Sequence, residues 1–344
     1  MLYIIMWCSS FLLTVCMPFK TLRIYSIIVF SLVYWFLISF RSPNVDVDYA
    51  QYISYIQDAV YYGLTTRGGF VFEWMAKTLY FFKLPLTLIF SIYAFSVILK
   101  SALFLKFSHY SHSIFIGYVG FFIYLHDFTQ IRAGLAIAIS YWAIYLKYGS
   151  PTNNNNLWIL VALLGALIHP SLISIPLFIM VGNYISLRFL FFTLIVAIFL
   201  AASNTMQSTI DVAVVLIGNK DLNIYYELSK LQTIKPFGLF PILTLSITFL
   251  MYFYLPKYFE HDRQTIFFIK MLILSQIIWF SLYPIPVFAG RFSQIFLYSI
   301  VFTLPLLSKL FLKNYSILPS IYSLGGFIAF NSVGGLMHEF SFDF

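Results

Sequence analysis

IYSIIVFSLVYWFLISF, residues 24–40, is an unbroken apolar run followed at once by the charged and aromatic segment RSPNVDVDYAQYISY, residues 41–55. A helix needs about 20 predominantly apolar residues to cross the hydrocarbon core of a bilayer. The chain is 61% hydrophobic and only 9% charged, whereas soluble domains carry about 25% charged residues. The composition therefore excludes an ordinary soluble domain and predicts a helical membrane protein.

Apolar length and flanking charge together predict an all-α, polytopic membrane protein with about twelve transmembrane or half-membrane helices. Residues 1–344 are expected to form a single integral membrane domain with two longer outer loops, at about 41–83 and 204–236. Within 157–187, the pair His169-Pro170 either kinks one long helix or separates two short ones; flanking charges favour two passes. The predicted segments are 2–17, 24–40, 84–105, 113–126, 131–147, 157–169, 171–187, 189–203, 237–255, 265–284, 291–307 and 315–331.

Lysines and arginines at the ends of the apolar runs predict the orientation, because short cytoplasmic loops are enriched in these residues. The net charge of +8 is accordingly a topology signal and does not indicate nucleic-acid binding. Asp127 is assigned to the opposite, outer face of the membrane. The residues assigned to cytoplasmic turns are Lys20, Arg23, Lys100, Lys106, Lys147, Arg188, Lys257, Arg263, Lys309 and Lys313.

Charged and polar residues collect at the outer ends of the predicted helices, at similar depth. Ionisable groups near a bilayer are costly unless they are paired or face a watery cavity, so their clustering indicates function. Several arginines at one level favour a phosphate-binding site, and carboxylates with a histidine could handle a hydroxyl proton. The candidate residues are Arg41, Asp48, Tyr49, Tyr52, Glu73, Gln130, Arg132, His169 and Arg291.

Each of these residues also has a simpler interpretation. Arg41 at a helix end could extend to the lipid headgroups, and Asp48 could cap the following helix. The tyrosines could be aromatics of the membrane interface, and Glu73 could pair locally with Lys77. In the same loop, FVFEWMAKTLYFF, residues 70–82, is predicted to form a helix lying flat in the interface.

The triplet DVD, residues 46–48, resembles the DxD pair that holds a divalent metal in many sugar-transferring enzymes. Histidine and cysteine ligands are missing from the neighbouring sequence. We therefore predict no metal ion and no cofactor at this position.

The order of short motifs along the chain is similar to that of the EpsG-like branch of the Wzy polysaccharide polymerases. Those motifs are Arg41, VDVDYAQY, Glu73, QIRAGLAIAI, LIHPSLISIPL and Arg291. The chain departs from the family pattern at Asp46-Val47, where Gly-Thr is usual, and at Ala133, where Gln is usual.

The resemblance implies an enzyme of the bacterial inner membrane, multi-pass, with its active site facing the periplasm. It would join oligosaccharide repeat units carried on undecaprenyl diphosphate into O-antigen, capsular or exopolysaccharide chains. Such enzymes are regarded as metal-independent. A flippase and a chain-length regulator are the expected partners, besides the lipid-linked substrate and the membrane lipid.

The reaction that the resemblance implies needs cations for the leaving diphosphate and a base for the acceptor hydroxyl, and the candidate residues could supply both. Arg41, Arg132 and Arg291 would stabilise the leaving diphosphate, with Gln130, Tyr49 and Tyr52 contributing to diphosphate and sugar binding. The base that takes the acceptor proton would be His169, Asp48 or Glu73. We favour His169 as the base and Asp48 as the group that orients the acceptor.

Two other functions remain open at this point. Another lipid-linked-sugar glycosyltransferase, or an O-antigen ligase, would share the diphosphate chemistry and use a different acceptor. A flippase or other transporter would be expected to place its charges near the bilayer midplane and to show paired halves. The sequence places its charges on one rim and shows no repeat.

Overall fold

A computed structural model describes residues 2–16, 19–41, 46, 48–63, 68–107, 109–150, 156–217, 226–227 and 236–332 of the chain. Within these residues the protein is built from helices, which confirms the predicted all-α class. Parts of both predicted outer loops, at 42–45, 64–67, 218–225 and 228–235, lie outside the described residues.

The chain divides into two compact units, the first comprising 1–177 with 304–344 and the second comprising 178–303. The single domain expected for 1–344 stays a prediction. A π-helix spans Ile123–Thr129, and a 3-10 turn spans Pro170–Ile173. The described α-helices are α1 Leu2–Cys16, α2 Lys20–Ser39, α3 Tyr49–Tyr61, α4 Phe70–Phe81, α5 Leu88–Ala94, α6 Ser96–Leu105, α7 Ser111–Gly120, α8 Ile131–Tyr148, α9 Leu157–Ile168, α10 Ser174–Val181, α11 Leu187–Ala202, α12 Thr205–Ile217, α13 Leu239–Tyr258, α14 Arg263–Leu282, α15 Pro286–Leu297, α16 Ile300–Leu312 and α17 Ile317–Ser332.

Four described helical stretches are long and apolar enough to cross a membrane: Lys20–Ser39, Leu88–Leu105, Leu239–Tyr258 and Arg263–Leu282. Two bent pairs raise the number to six if each pair is one span: α11 with the start of α12, bent by 86°, and α15 with α16, bent by 55°. The protein is thus a multi-pass membrane protein, and the larger count of about twelve segments stays a prediction.

The predicted interruption at His169-Pro170 is present. Helix α9 ends at Ile168, His169 takes an extended conformation with φ −141° and ψ 110°, and Pro170 opens the 3-10 turn. Proline suits this first position, because its missing amide would have no helical partner there. The region therefore contains two short helices, and a single continuous helix is excluded.

In the first unit, helix α8 packs closely against the π-helix that precedes it. A side chain at Gly134 would lie 2.6 Å from the carbonyl oxygen of His126 and 2.8 Å from Oδ1 of Asp127. Only glycine permits this approach of the two backbones. The close contact fixes where α8 begins.

The segment between α2 and α5, which the sequence predicts to be an outer loop, contains the helices α3 and α4, and these pack against each other. The helix predicted over 70–82 is present as α4, whose buried face carries Glu73 and Ala76. Phe70 and Trp74 are exposed on the other face. The amphipathic pattern is as expected, and the position of α4 in the membrane interface stays a prediction.

Candidate functional site

Arg41 lies just beyond the end of α2 and is buried, with 4% of its surface exposed. Its Nε donates to Asp46 Oδ2 at 2.6 Å, and one terminal nitrogen donates to the carbonyl of Ile38 at 2.9 Å. The other terminal nitrogen is buried without a hydrogen-bond partner. Arg41 therefore does not extend to the lipid headgroups, and Asp46 neutralises its charge.

Aromatic rings cover this ion pair. The Tyr49 ring stacks on Phe90 with 4.8 Å between centroids, and Arg41 Cζ lies 4.9 Å from the Phe90 centroid. Tyr52 packs beside them, 5.6 Å from Phe72 and 6.4 Å from Phe90. Burial raises the pKa of Tyr52 to about 12, so its hydroxyl stays protonated at neutral pH. Both tyrosines are core residues here and do not form an exposed interface belt.

Arg132, the second residue of α8, occupies an aromatic cage formed by Tyr52, Tyr55 and Phe72. Its Cζ lies 5.7 to 5.8 Å from the three ring centroids, within cation–π range. One terminal nitrogen donates to the carbonyl of Gly68. Nε is buried without a hydrogen-bond partner, and no ion pair to Arg132 occurs among the described residues. In contrast to Arg41, Arg132 has no carboxylate oxygen within ion-pair distance among the described residues.

Glu73 is fully buried in the first turn of α4. Its Oε1 accepts a hydrogen bond of 2.7 Å from the amide of Gly68, the residue whose carbonyl receives Arg132. The next residue, Gly69, has φ +83°, and a Cβ there would lie 2.8 Å from the terminal nitrogen NH1 of Arg132. Sequence reasoning missed both glycines. The Gly-Gly pair at a helix start was the only available signal.

His169 lies at the same end of the α8–α9 hairpin as Arg132. Near this end of the hairpin, a side chain at Gly165 would lie 3.1 Å from the carbonyl oxygen of Ala136. Arg132 lies one helical turn before Ala136 on α8, and His169 lies one helical turn after Gly165 on α9. Because the two helices run in opposite directions, both steps lead to the same end of the hairpin. His169 is half-buried, and its Nδ1 lies 2.6 Å from the Ser171 hydroxyl.

The three remaining predicted residues differ in their surroundings. Asp48 is half-buried at the start of α3 and makes no capping hydrogen bond to that helix, although its charge acts on Tyr52. Gln130 is half-buried immediately before α8. Arg291 belongs to the second unit and is exposed on α15. The predicted residues that the structure brings together in the first unit are Arg41, Asp48, Tyr49, Tyr52, Glu73 and Arg132.

The sequence matches the model of the EpsG family over residues 24–333, which is most of the chain. The chain belongs to the EpsG family. This membership confirms the resemblance drawn from the motif order, and it identifies a multi-pass membrane protein of polysaccharide biosynthesis. No curated protein and no solved structure matches the chain.

The EpsG-family chain also contains a buried ion pair that its sequence did not predict. Lys100 Nζ, within the span Leu88–Leu105, lies 2.7 Å from both carboxylate oxygens of Asp127 on the π-helix. Ser96 and Tyr118 also donate to this carboxylate. Assigning Lys100 to a cytoplasmic turn, on the face opposite Asp127, was therefore wrong. The position of Lys100 inside an apolar run was the sequence feature that could have predicted the pair, since a lysine there needs a buried partner.

Among the residues described in the EpsG-family protein, no three His, Cys, Asp or Glu side chains converge to hold a metal ion. Within the DVD triplet, Asp46 uses Oδ2 for Arg41 and Oδ1 for the amide of Asp48. This carboxylate stabilises the start of α3 and the buried arginine. It does not present its oxygens as a metal-binding pair would.

Proposed function

We propose that this EpsG-family protein polymerises oligosaccharide repeat units carried on undecaprenyl diphosphate. The transfer would take place at the outer leaflet of the bacterial inner membrane, in a site facing the periplasm. One observation carries the proposal: the guanidinium of Arg132 lies in an aromatic cage, and no described carboxylate is within ion-pair distance of it. A guanidinium held in this way can bind an anion, and the diphosphate of a lipid-linked sugar would supply one at the membrane surface.

The proposed reaction transfers the growing chain to the next repeat unit. The acceptor hydroxyl oxygen forms a bond to the anomeric carbon, and the bond from that carbon to the phosphate oxygen breaks. The leaving oxygen keeps the electron pair, so negative charge develops on the lipid diphosphate. Arg132 would stabilise this charge by donating to it as it forms. Arg41, whose charge Asp46 offsets, would assist. Arg291 belongs to the second unit, and its role in diphosphate binding stays a prediction.

His169 is the proposed base for the acceptor proton. Its Nδ1 lies 2.6 Å from the Ser171 hydroxyl. If Nδ1–H donates to that oxygen, Nε2 becomes the basic nitrogen. Asp48 would orient the acceptor, and Gln130 would contact the sugar, with Tyr49 and Tyr52 forming the wall of the site. A flippase and a chain-length regulator are the proposed partners.

A transporter for the same lipid-linked units is the second candidate. It is favoured by the Lys100–Asp127 pair, whose lysine lies inside the candidate membrane span Leu88–Leu105, because intramembrane charges often mark transport pathways. The carboxylate of this pair also accepts from Ser96 and Tyr118. A group so completely satisfied is better suited to holding helices together than to changing partners during transport.

Deleting the gene and examining the surface polysaccharide on a gel tests the proposal. Loss of polymerase is expected to remove the ladder of long chains and to leave a single repeat unit on the acceptor lipid. Loss of a transporter would leave no repeat unit on that acceptor, because the units would not reach the outer leaflet. A normal ladder in the deletion strain would contradict both candidates, and complementation by the wild-type gene is the control.

A further inference from the structure

We propose that Gly68 and Gly69 form a clamp that fixes Arg132 and couples it to Glu73, which makes Glu73 a positioning residue and not the base. This inference rests on the proposed function of Arg132 as the diphosphate ligand. It gives a role to two glycines that neither the motif order nor the charge pattern had identified.

The clamp joins two distant side chains through the two polar groups of one residue. The carbonyl of Gly68 accepts from Arg132, and its amide donates to Glu73 Oε1 at 2.7 Å. Arg132 begins α8, and Glu73 lies in the first turn of α4. The contact therefore ties the α3–α4 hairpin to α8, the helix that carries the guanidinium.

Space explains why both positions are glycine. A Cβ at Gly68 would lie 3.0 Å from Cβ of Tyr55 and 3.1 Å from Cγ of Glu73. A Cβ at Gly69 would lie 2.8 Å from the terminal nitrogen NH1 of Arg132, in a backbone conformation of φ +83° that side chains rarely adopt. Any larger residue at 69 has to displace the guanidinium.

The clamp would hold the guanidinium in place before the substrate arrives. One terminal nitrogen is fixed on Gly68, and the rings of the aromatic cage restrict the plane of the group. A ligand that binds a group already held in position loses less conformational entropy. Glu73 would contribute by holding the Gly68 amide, and for that purpose it needs only one acceptor oxygen.

Gly69→Ala, compared with Gly63→Ala, tests the clamp. Gly63 also has a positive φ, of +103°, but a Cβ there would meet nothing within 4 Å. Both variants therefore carry the backbone strain, and only Gly69→Ala displaces Arg132.

The full-length proteins are assayed in bilayers on the lipid-linked repeat unit isolated from the deletion strain, with rates normalised to folded protein. Gly69→Ala is expected to lower kcat/KM by about 10²-fold through misplacement of the ligand group. Gly63→Ala should change it by less than about threefold.

The same pair of alanine changes is then made in an Arg132→Lys background. Lysine lacks the terminal guanidinium nitrogen that a Cβ at 69 would meet. If the clamp acts through Arg132, Gly69→Ala should have no larger effect than Gly63→Ala in this background. Full additivity of Gly69→Ala with Arg132→Lys would overturn the clamp.

Glu73→Gln and Glu73→Ala separate a positioning role from that of a base. Glutamine keeps an oxygen that can accept from the Gly68 amide, so it should restore most of the rate that alanine loses and leave the pH profile unchanged. A base cannot be replaced by an amide. Equal losses in the two variants, with an altered pH profile, would overturn the positioning role.

The two proposals fail in different ways. Normal polymer from a folded Arg132→Ala variant would reject the diphosphate ligand itself. Loss of polymer in Arg132→Ala, together with equal rates for Gly69→Ala and Gly63→Ala, would reject the clamp alone and leave the proposed function standing.

Discussion

Replacing Arg132 by alanine is expected to lower polymer formation by about 10²–10³-fold, the usual effect of removing a donor that stabilises developing negative charge. The reason is that Arg132 has the only guanidinium among the described residues of the first unit that is enclosed by the aromatic cage and has no carboxylate partner. The loss should fall mainly on kcat, because the negative charge on the leaving diphosphate is greater in the transition state than in the bound substrate. Single-turnover rates on isolated lipid-linked repeat units measure this.

Arg132→Lys and Arg188→Ala are the controls. Lysine keeps the charge but not the planar set of donors, so its rate should lie between those of the wild type and the alanine variant. Arg188 is exposed in the second unit, and its removal should leave the polymer ladder unchanged. A wild-type ladder from folded Arg132→Ala protein would reject the assigned role.

Lys100→Met should have the largest effect on stability. The substitution leaves Asp127 as an unpaired carboxylate that is entirely buried, since the side chains of both partners have no exposed surface. Removing one partner of a buried ion pair costs about 3–5 kcal/mol. Unfolding of the purified protein in detergent, followed by denaturant titration, should show this loss as a lower midpoint.

Two further variants make the stability prediction specific. Lys106→Met applies the same chemical change to an exposed lysine just beyond the end of the same helix, and it should shift stability by less than about 1 kcal/mol. The double variant Lys100→Met with Asp127→Leu removes both charges and should recover much of the loss. If Lys100→Met and Lys106→Met prove equally stable, the ion pair does not contribute to folding.

Local signals explain why much of the fold could be predicted from the sequence. The apolar run 24–40 forms most of α2, the amphipathic segment 70–82 forms α4 as far as Phe81, and α9 ends immediately before His169-Pro170. Each of these outcomes depends on the residues of the segment itself. The length of an apolar run and the missing amide of proline determine local helical structure independently of the neighbouring helices.

Pairing between distant segments explains what the sequence could not reveal. The charge rule treats every lysine as a loop marker, so it misplaced Lys100, whose partner Asp127 is supplied by another helix. The candidate arginines likewise looked equivalent. Only the fold shows that Asp46 neutralises Arg41 while Arg132 faces aromatic rings. A glycine turn whose carbonyl accepts a hydrogen bond from an arginine cannot be recognised from the hydropathy of the sequence.

Helix α4 has two faces that differ in burial. One face buries Glu73, and the other face exposes Phe70 and Trp74. In the interfacial position predicted for α4, a change in bilayer thickness or lateral pressure would act on the exposed rings, and the helix would pass that displacement through Glu73 to Gly68 and so to Arg132. The bilayer would then be a mechanical part of the site, and detergent micelles and lipid membranes would be different environments for the same guanidinium.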